Sequence, residues 1–514
     1  MKKVLIILTI PLLLLSCSSK ESHDSYSDEL DKTFSFALLE DGSYGISAKN
    51  KEITGDIVIP DFYRGKKVTH VEDNGFERCE KTTSVTIGKN ITTIGKRAFF
   101  LCGAYENDLI IPDNVIEIMD EAFCNYRMNN LIIGDGVKTI NHDAFGGCAF
   151  KNLNLGRSIE YLGRGAFGSP YIYSICLPSS LQHMEGGALT SLSGLREIAV
   201  ENENTSFKVK ENALFDYKCK ELIYYPSGRN EEEFHIPEGT RTIKTESITN
   251  TSLKSLHFPN SLLTIEDNAI VWNKKLETVL LNEGLLTIGD KSFYENYNIA
   301  NVYIPSTVEY IAESAFDHSM GLNFSMTVSE ENEFYTVEND ALLIKDHSKM
   351  LYCFTRKEEY VVSNELKELG ECSFRVVNFE TKRIITNEGL KTINSPFGTF
   401  ANLESIYLSD SVEKLPDLTF EFCNKLRTVN IPPLIDTIPG GMFYNCRGPV
   451  KLTIPTTIKK ICYTAFVGAS EINEIEYLGT MNEWNSIIFE NNLTDHNITI
   501  HCLDGDTILV KDTD

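Results

Sequence analysis

The sequence predicts a curved, β-rich solenoid of short parallel strands with little helix, built from about 15 repeats of 22 or 23 residues. The segment 109–167 carries the pattern I-x-I-P-x-x-V-x-x-I-x-x-x-A-F three times at intervals of 22 residues, with Gly in place of Pro in two copies. The alternating apolar residues at the start of each copy are typical of a short strand with one buried face. One copy cannot bury its apolar side chains alone, whereas stacked copies can, so the fixed period predicts a solenoid.

The same unit recurs along most of the chain. Proline or glycine often follows the alternating residues and ends the strand, because neither suits the interior of a ladder. This strand-ending slot is held by Pro60, Gly88, Pro112, Gly134, Gly156, Pro178, Pro237, Pro259, Asn282, Pro305, Ser363, Thr386, Ser409, Pro432 and Pro455. Prolines in the middle of so many units also argue against long helices.

These motifs carry a family resemblance. With a Cys three residues after the Phe in several copies, the pattern I-x-I-P-x-x-V-x-x-I-x-x-x-A-F-x-x-C resembles the bacterial BspA-like, treponemal-type leucine-rich repeat. The resemblance covers residues 57–470 and implies a leucine-rich-repeat solenoid. It also implies adhesion or recognition at the cell surface, with fibronectin, fibrinogen or other bacteria as partners.

Two longer gaps interrupt the period, of 59 residues after Pro178 and 58 residues after Pro305. The inserts near 195–232 and 324–358 are similar to each other, since each has an apolar stretch, an acidic Asn-containing segment, an Ala-Leu pair and a Tyr-containing run. We interpret each insert as an alternative repeat module with an added strand and a β-hairpin. The inserts divide the array into blocks near 57–190, 234–316 and 360–470.

The N-terminus is predicted to be a targeting segment. Lys2 and Lys3 precede an apolar run of residues 4–15 that is short for a membrane span, which indicates a signal peptide over 1–16. The run ends in Leu14-Leu15-Ser16-Cys17, which resembles a lipobox and implies lipidation of Cys17; an ordinary signal peptide with a chance Cys is the alternative. We expect a lipid-anchored protein, exposed on the bacterial outer membrane, although the periplasmic face or a single-membrane cell would also fit.

The segments outside the array are assigned by composition. Residues 17–33 are polar and predict a flexible tether, and residues 34–56 predict an N-terminal cap that covers the first repeat. After the last repeat, residues 471–503 predict a C-terminal cap in which Trp484 packs over the open end, and 504–514 predict a frayed tail.

The net charge of the chain limits the classes of partner that it is expected to bind. The formal net charge of −25 argues against nucleic-acid binding and against direct adsorption to anionic lipid, because both need a basic surface. Acidity mainly favours solubility, and it weakly favours basic partners or cation-bridged ones.

The thirteen cysteines follow the repeat. The residues three positions after the repeat Phe are Cys79, Cys102, Cys148, Cys423 and Cys446. This periodic apolar slot indicates packed thiols that behave as small hydrophobic residues. A disulfide between Cys79 and Cys102 in adjacent turns is the alternative.

Known catalytic and metal motifs are missing from the sequence. It has no C-x-x-C pair, no H-E-x-x-H, no G-x-S-x-G, no Gly-rich phosphate loop and no EF-hand loop. We therefore expect neither catalysis nor a cofactor nor a metal site.

The candidate binding surface is the outward side of the first strand in each repeat, because side chains alternate along a strand. The outward positions are Val58, Thr86, Ile110, Ile132, Asn154, Cys176, His235, His257, Leu280, Tyr303, Val361, Ile384, Tyr407, Asn430 and Thr453. We expect the ligand site near the middle, at His235, His257, Leu280, Tyr303 and Tyr407, since His and Tyr combine apolar area with polar tips. The hairpins of the inserts are the competing location.

Three functions remain open from the sequence. The first is recognition of an extracellular protein, which is a host matrix protein or a bacterial partner. The second is glycan capture for a nutrient-uptake system, and the third is a purely structural element of the surface layer. Strand-favouring residues also suit a ladder without any ligand, so composition alone does not choose among them.

Overall fold

The computed structural model describes residues 20–103, 107–374, 380–398, 400–449 and 451–510. They form a β-solenoid of about 19 turns with almost no helix, which confirms the predicted fold class. The predicted signal peptide and Cys17 lie outside the described residues. The number of turns exceeds the predicted 15 because both inserts and the C-terminal cap add strands that stack on the array.

The residues that the structure describes form two compact units. One contains the residues up to Ile172 together with Pro178–Ser191, and the other contains Tyr173–Leu177 together with the residues from Leu192 onward. In both units a turn contributes a first strand, such as Leu109–Ile111, and a short second strand, such as Glu117–Ile118.

The first unit has parallel first strands. They are Gly55–Val58, Thr82–Thr86, Leu109–Ile111, Asn130–Ile133 and Asn152–Asn154. Its second sheet contains Phe34–Leu38, Tyr44–Ala48, Phe62–Tyr63, Lys66–Val71, Thr93–Ile94, Glu117–Ile118, Thr139–Ile140, Tyr161–Leu162 and His183–Met184. The antiparallel hairpin of Phe34–Leu38 and Tyr44–Ala48 begins this sheet, so the first parallel strand is not left as an open edge.

The second unit repeats this plan. Its first strands are Ser174–Leu177, Glu197–Val200, Glu233–His235, Ser255–His257, Thr278–Leu280, Ile299–Ile304, Met320–Val328, Glu359–Val361, Arg383–Ile385, Ser405–Tyr407, Thr428–Val429, Leu452–Ile454, Glu474–Tyr477 and Ile498–Cys502. The C-terminal strand Gly505–Leu509 follows them. Its second strands are Thr242–Ile243, Thr264–Ile265, Thr287–Ile288, Tyr310–Ile311, Glu368–Leu369, Thr392–Ile393, Thr437–Ile438, Lys460–Ile461 and Ile488–Phe489. A further parallel pair joins Ile248–Thr249 and Ile270–Val271.

Each insert contributes one first strand and then an antiparallel meander. The meanders are Phe207–Lys210, Ala213–Asp216 and Glu221–Tyr224 in the first insert, and Tyr335–Glu338, Ala341–Ile344 and Lys349–Cys353 in the second. The last strand of each meander pairs in parallel with the next second strand, so each meander begins a new sheet of second strands.

The core of the first unit is a ladder of repeat phenylalanines. The rings of Phe76, Phe99, Phe123, Phe145 and Phe167 stack at centroid distances of 5.2, 5.0, 5.2 and 5.9 Å. The residue before each of the ladder's Ala-Phe pairs has a left-handed backbone conformation, as at Glu121 with φ 53° and Gly165 with φ 64°. Gly165 adopts this conformation without the steric penalty that a Cβ imposes.

The two helices lie at the ends of the described chain. Lys20–Thr33 forms a helix where the sequence predicts a flexible tether, so that expectation is wrong for these residues. Asp31 attaches this helix to the rest of the first unit. Its backbone carbonyl accepts a hydrogen bond from the Lys49 side chain, and its carboxylate accepts one from the Tyr63 hydroxyl, each at 2.7 Å. Neither described helix is long and apolar enough to cross a membrane.

The C-terminal cap contains the helix Met481–Trp484, whose capping box has Thr480 and Glu483 bonding to each other's backbone N–H. Trp484 is 3% exposed and packs against Tyr477 and Phe489, as predicted for a residue that covers the last turns. The predicted frayed tail is wrong over Gly505–Leu509, which pairs antiparallel with Ile498–Cys502.

Candidate functional site

Four of the five predicted site residues form one row across neighbouring parallel strands. His235 pairs with His257, His257 with Leu280, and Leu280 with Tyr303, all in register. Leu280 is 51% and Tyr303 38% exposed. The outward side of the first strands, called the strand face below, therefore presents these four side chains side by side.

Local alternation explains why this row faces outward. The residues on either side of each row position are apolar and buried: Phe234 and Ile236, Leu256 and Phe258, Val279 and Leu281, Val302 and Ile304. Burying both flanking residues turns the residue between them to the opposite face of the sheet.

The histidine end of the row is a compact polar cluster. The rings of His235 and His257 are parallel within 5° and stack with centroids 4.0 Å apart. Glu233 lies two residues before His235 on the same face, and its Oε2 is 3.8 Å from His235 Nε2 and 3.9 Å from His257 Nε2. Ser255 Oγ lies 3.1 Å from His257 Nε2.

The other end of the row is apolar. Leu280 and Tyr303 lie on adjacent strands, and the row continues to Thr327 in the second insert's first strand. A neighbouring polar row contains Asn301 and Ser325, whose side chains are hydrogen-bonded at 2.6 Å. The surface thus combines apolar area with hydrogen-bonding groups, as protein interfaces do.

Tyr407, the fifth predicted residue, belongs to a different sheet. It pairs with Ile385 of the strand Arg383–Ile385, which in turn pairs with Val361 of the strand Glu359–Val361. Its hydroxyl donates to Glu388 Oε1 at 3.3 Å. Partial burial and the nearby carboxylates, including Glu388, raise the pKa of Tyr407. The structure therefore gives two separate outward rows, not one site of five residues.

The prediction that Ile384 faces outward is wrong. This side chain is 1% exposed and pairs with the buried Tyr360 and Ile406, whereas its neighbour Ile385 faces outward. Thr386 takes the second inward position and is buried. A shift of one residue in the assumed register exchanges the two faces of a strand, which explains the error.

The first unit has its own outward apolar pair. Ile110 and Ile132 are in register on adjacent strands, and Ile110 is 57% exposed. A groove of about 500 Å³ lies beside them and is bounded by Pro112 and Lys89.

On the second sheet of this unit, the carboxylate of Glu185 lies among several polar partners. Glu185 accepts from the Tyr161 hydroxyl at 2.5 Å and lies 2.6 Å from His142 Nε2. Burial acts to raise the pKa of Glu185, but the hydrogen bonds from Tyr161 and the Arg164 backbone lower it on balance. Burial and the same contact raise the pKa of Tyr161 to about 12.

The predicted Cys slot holds free, buried thiols at Cys79, Cys102, Cys148, Cys423 and Cys446. The packed-thiol interpretation is confirmed, and Cys79 and Cys102 form no disulfide in this structure. Burial raises the pKa of these thiols, to about 12 for Cys102. The thiols of Cys102, Cys148, Cys423 and Cys446 also donate to backbone carbonyls of a preceding turn, as Cys148 does to Phe123 at 3.2 Å. Asn296 fills the same slot in the second unit and donates to Ile270 at 2.7 Å.

Sequence reasoning missed the grouping of Glu233 with the two histidines. Glu233, His235 and His257 bring three potential metal-ligating atoms within 4.8 Å of one another. The expectation of no metal site relied on motifs within one helix or loop. The available signal was the repeat period itself, because His257 follows His235 by 22 residues and therefore occupies the next strand at the same position.

Comparison with known families identifies the repeat. The profile described as "BspA type Leucine rich repeat region" matches in six copies over residues 56–107, 102–223, 224–341, 347–473 and 442–504. The chain belongs to the BspA-type leucine-rich-repeat family. This membership agrees with the recurring buried Ile and Phe residues, and with the buried Cys residues of several turns. No curated protein matches the chain significantly.

Three solved structures that are similar to this BspA-type chain come from bacteria. A leucine-rich cell surface protein from Faecalibacterium prausnitzii is 19% identical, with 90% of this chain and 97% of that chain covered and a TM-score of 0.40. A leucine-rich-repeat protein from Eubacterium ventriosum is 19% identical, with 85% and 92% covered and a TM-score of 0.36. The pneumococcal vaccine antigen PcpA is 16% identical, with 77% and 91% covered and a TM-score of 0.39. These identities are too low to transfer the role of any residue.

Proposed function

We propose that this BspA-type protein is a non-catalytic binding protein that recognises an extracellular protein through its strand face. The observation that carries the proposal is the row His235, His257, Leu280 and Tyr303, held in register on four adjacent strands. Because the rigid sheet fixes the positions of these side chains before a partner binds, little conformational entropy is lost in arranging them on binding. Exposed apolar residues next to hydrogen-bonding groups favour a protein partner.

The proposed location is the outer surface of a bacterium. The sequence Leu14-Leu15-Ser16-Cys17 supports lipidation of Cys17 after cleavage of residues 1–16. A lipid on Cys17 would hold the array at the membrane, with the strand face available to partners. Replacing Cys17 by Ala should release the protein from the membrane fraction, and protease treatment of intact cells should remove the native protein if it is displayed outside.

The strand face is tested by a matched pair of double variants. His257→Ala with Tyr303→Ala removes the centre of the row, whereas His183→Ala with Tyr310→Ala removes the same residue types from second strands. Both variants should melt close to the native protein because all four side chains are at least partly exposed. Binding to arrays of matrix proteins, including fibronectin and fibrinogen, should be lost only in the first variant.

Loss of binding after trimming residues 201–232, with full binding by the first double variant, would place the site in the first insert instead. Equal binding by the native protein, both double variants and the trimmed protein would contradict recognition through either surface.

Glycan capture is the second candidate, and one observation favours it. Tyr407 presents an exposed ring whose hydroxyl is hydrogen-bonded to the Glu388 carboxylate. An aromatic platform beside a carboxylate suits a sugar ring, which stacks on one and hydrogen-bonds to the other. Glycan-array binding that is lost in Tyr407→Ala and retained in the His257/Tyr303 double variant would support glycan capture over protein recognition.

A further inference from the structure

We propose that Glu233, His235 and His257 form a binding site for a divalent transition-metal ion of the Zn²⁺ and Cu²⁺ class on the strand face. This inference goes beyond the proposed function, since the site requires no partner protein. It rests on the placement of three ligating side chains by the repeat itself.

The strands Glu233–His235 and Ser255–His257 pair in parallel with His235 opposite His257. Neighbouring strands lie about 4.8 Å apart and side chains at i and i+2 share a face. Glu233 and His235 therefore stand on one strand, and His257 stands beside His235 on the next. Rotation of the side chains would bring three ligands at the corners of such a triangle to a common point above the sheet without any change of the backbone.

The distances fit this convergence. The ligating atoms of the three side chains lie within 4.8 Å of one another, and Glu233 Oε2 is 3.8 and 3.9 Å from the two imidazole Nε2 atoms. Around a tetrahedral zinc ion with bonds of about 2.0–2.2 Å, ligand atoms lie roughly 3.3 Å apart. The two Glu–His separations need to contract by only about 0.5 Å, and no pair of ligating atoms by more than about 1.5 Å. The two imidazole rings, which are stacked in parallel, must also rotate so that a metal ion lies in the plane of both, and side-chain rotation accomplishes both changes. The side chains of Glu233 and His235 are 64% and 71% exposed, so they have room for it.

The surrounding charges leave Glu233 available. The neighbouring cation, Lys254, forms its ion pair with Glu232 at 2.8 Å. Among the ion pairs of the described residues, Glu233 has only the two histidines as partners. A divalent cation placed between the carboxylate and the imidazoles would therefore meet no lysine or arginine paired to Glu233.

The ligand types select the metal. Two imidazoles and one carboxylate suit zinc, copper and nickel, and a His₂Glu set with an open fourth position is a known zinc arrangement. Calcium and magnesium prefer sites made of oxygen ligands and should bind poorly here. Because the cluster lies on the exposed strand face, the remaining coordination positions face solvent.

Zinc titration of the full chain tests the site without a partner protein. Native protein should bind Zn²⁺, and His257→Ala and Glu233→Gln should each lower the affinity by at least about tenfold, since changing even residues that only support a ligand costs 10–100-fold. His183→Ala is the matched control, because His183 lies on a second strand and stacks on Tyr161 at 5.5 Å outside the cluster. This control should retain the native zinc affinity.

Copper provides a second readout. Electron paramagnetic resonance of Cu²⁺ added at substoichiometric amounts should show coupling to two nitrogens in the native protein and to fewer in His257→Ala. Circular dichroism would verify that each variant is folded, and His257→Asn would replace any variant that is not. Equal zinc affinity in the native protein, His257→Ala and Glu233→Gln would overturn the proposal, as would a native copper spectrum that His257→Ala leaves unchanged. Neither readout depends on whether the strand face recognises a protein.

Discussion

Replacing Phe123 by Ala should destabilise the first unit by about 3–5 kcal/mol, the range for a buried Phe reduced to Ala. Phe123 is fully buried and is the middle ring of the phenylalanine ladder. Its centroid lies 5.0 Å from Phe99 and 5.2 Å from Phe145, with a further edge contact to Tyr126 at 5.7 Å. The substitution removes contacts on three sides and leaves a cavity between two turns.

Several features place the expected loss toward the upper end of this range. Each aromatic pair adds about 0.5–1.5 kcal/mol beyond the buried area. The rings above and below are fixed by their own turns, so the ladder has little freedom to collapse into the cavity. For a unit of this size a loss of 1 kcal/mol lowers Tm by about 2–4 °C, so the variant should melt roughly 6–20 °C lower.

Urea unfolding followed by far-UV circular dichroism measures the loss. Both tryptophans of the chain, Trp272 and Trp484, belong to the second unit, so their fluorescence reports that unit separately. Ile110→Thr is the control, because Ile110 is exposed on a first strand and Thr is also β-branched; it should change stability by less than about 0.5 kcal/mol. A loss below about 1 kcal/mol for Phe123→Ala would refute the ladder as the core of this unit.

Three further outcomes are expected. The pKa of Glu185 is lowered, so its interactions stabilise the fold above the unfolded value of about 4.3 and are lost as pH falls through the folded value. Glu185→Gln should therefore be less stable than the native protein at pH 7, and a difference that persists unchanged at pH 3 in urea titrations would contradict this linkage. Burial raises the pKa of both Cys148 and Cys176, but Cys176 is exposed whereas Cys148 is buried, so mass spectrometry after brief alkylation of native protein should find label on Cys176 and none on Cys148. Trp484→Ala should open the C-terminal cap and speed hydrogen exchange in Ile498–Cys502; protection equal to the native protein would show that Trp484 does not secure this end.

The repeat period was sufficient to predict the fold and most of the core. Residues such as Ile118, Phe123 and Cys148 recur at fixed positions, and all three are buried. The prediction succeeds because each turn contacts chiefly its neighbours, so local sequence carries the information that long-range contacts carry in other folds. The same period correctly placed His235, His257, Leu280 and Tyr303 on the outward side.

The role of the Cys slot was only half predicted. Burial of an apolar thiol follows from its spacing, but the hydrogen bond from Cys148 to the Phe123 carbonyl does not. Asn296 shows that a donor is useful there, because it bonds to two buried carbonyls, of Ile270 and Phe293. A buried carbonyl is costly if unpaired, and only the stacked turns determine which carbonyl faces the slot.

The sequence by itself determined the solenoid, the inward residues of most turns and the outward strip. The tertiary structure alone decided which outward residues share a row, since Tyr407 lies in another sheet than Tyr303. It also decided the register at Ile384, the pairing of Gly505–Leu509 and the meeting of Glu233 with two histidines. Alternation has a period of two and fixes only the face of a side chain, whereas its neighbours on that face depend on strand pairing between distant parts of the chain.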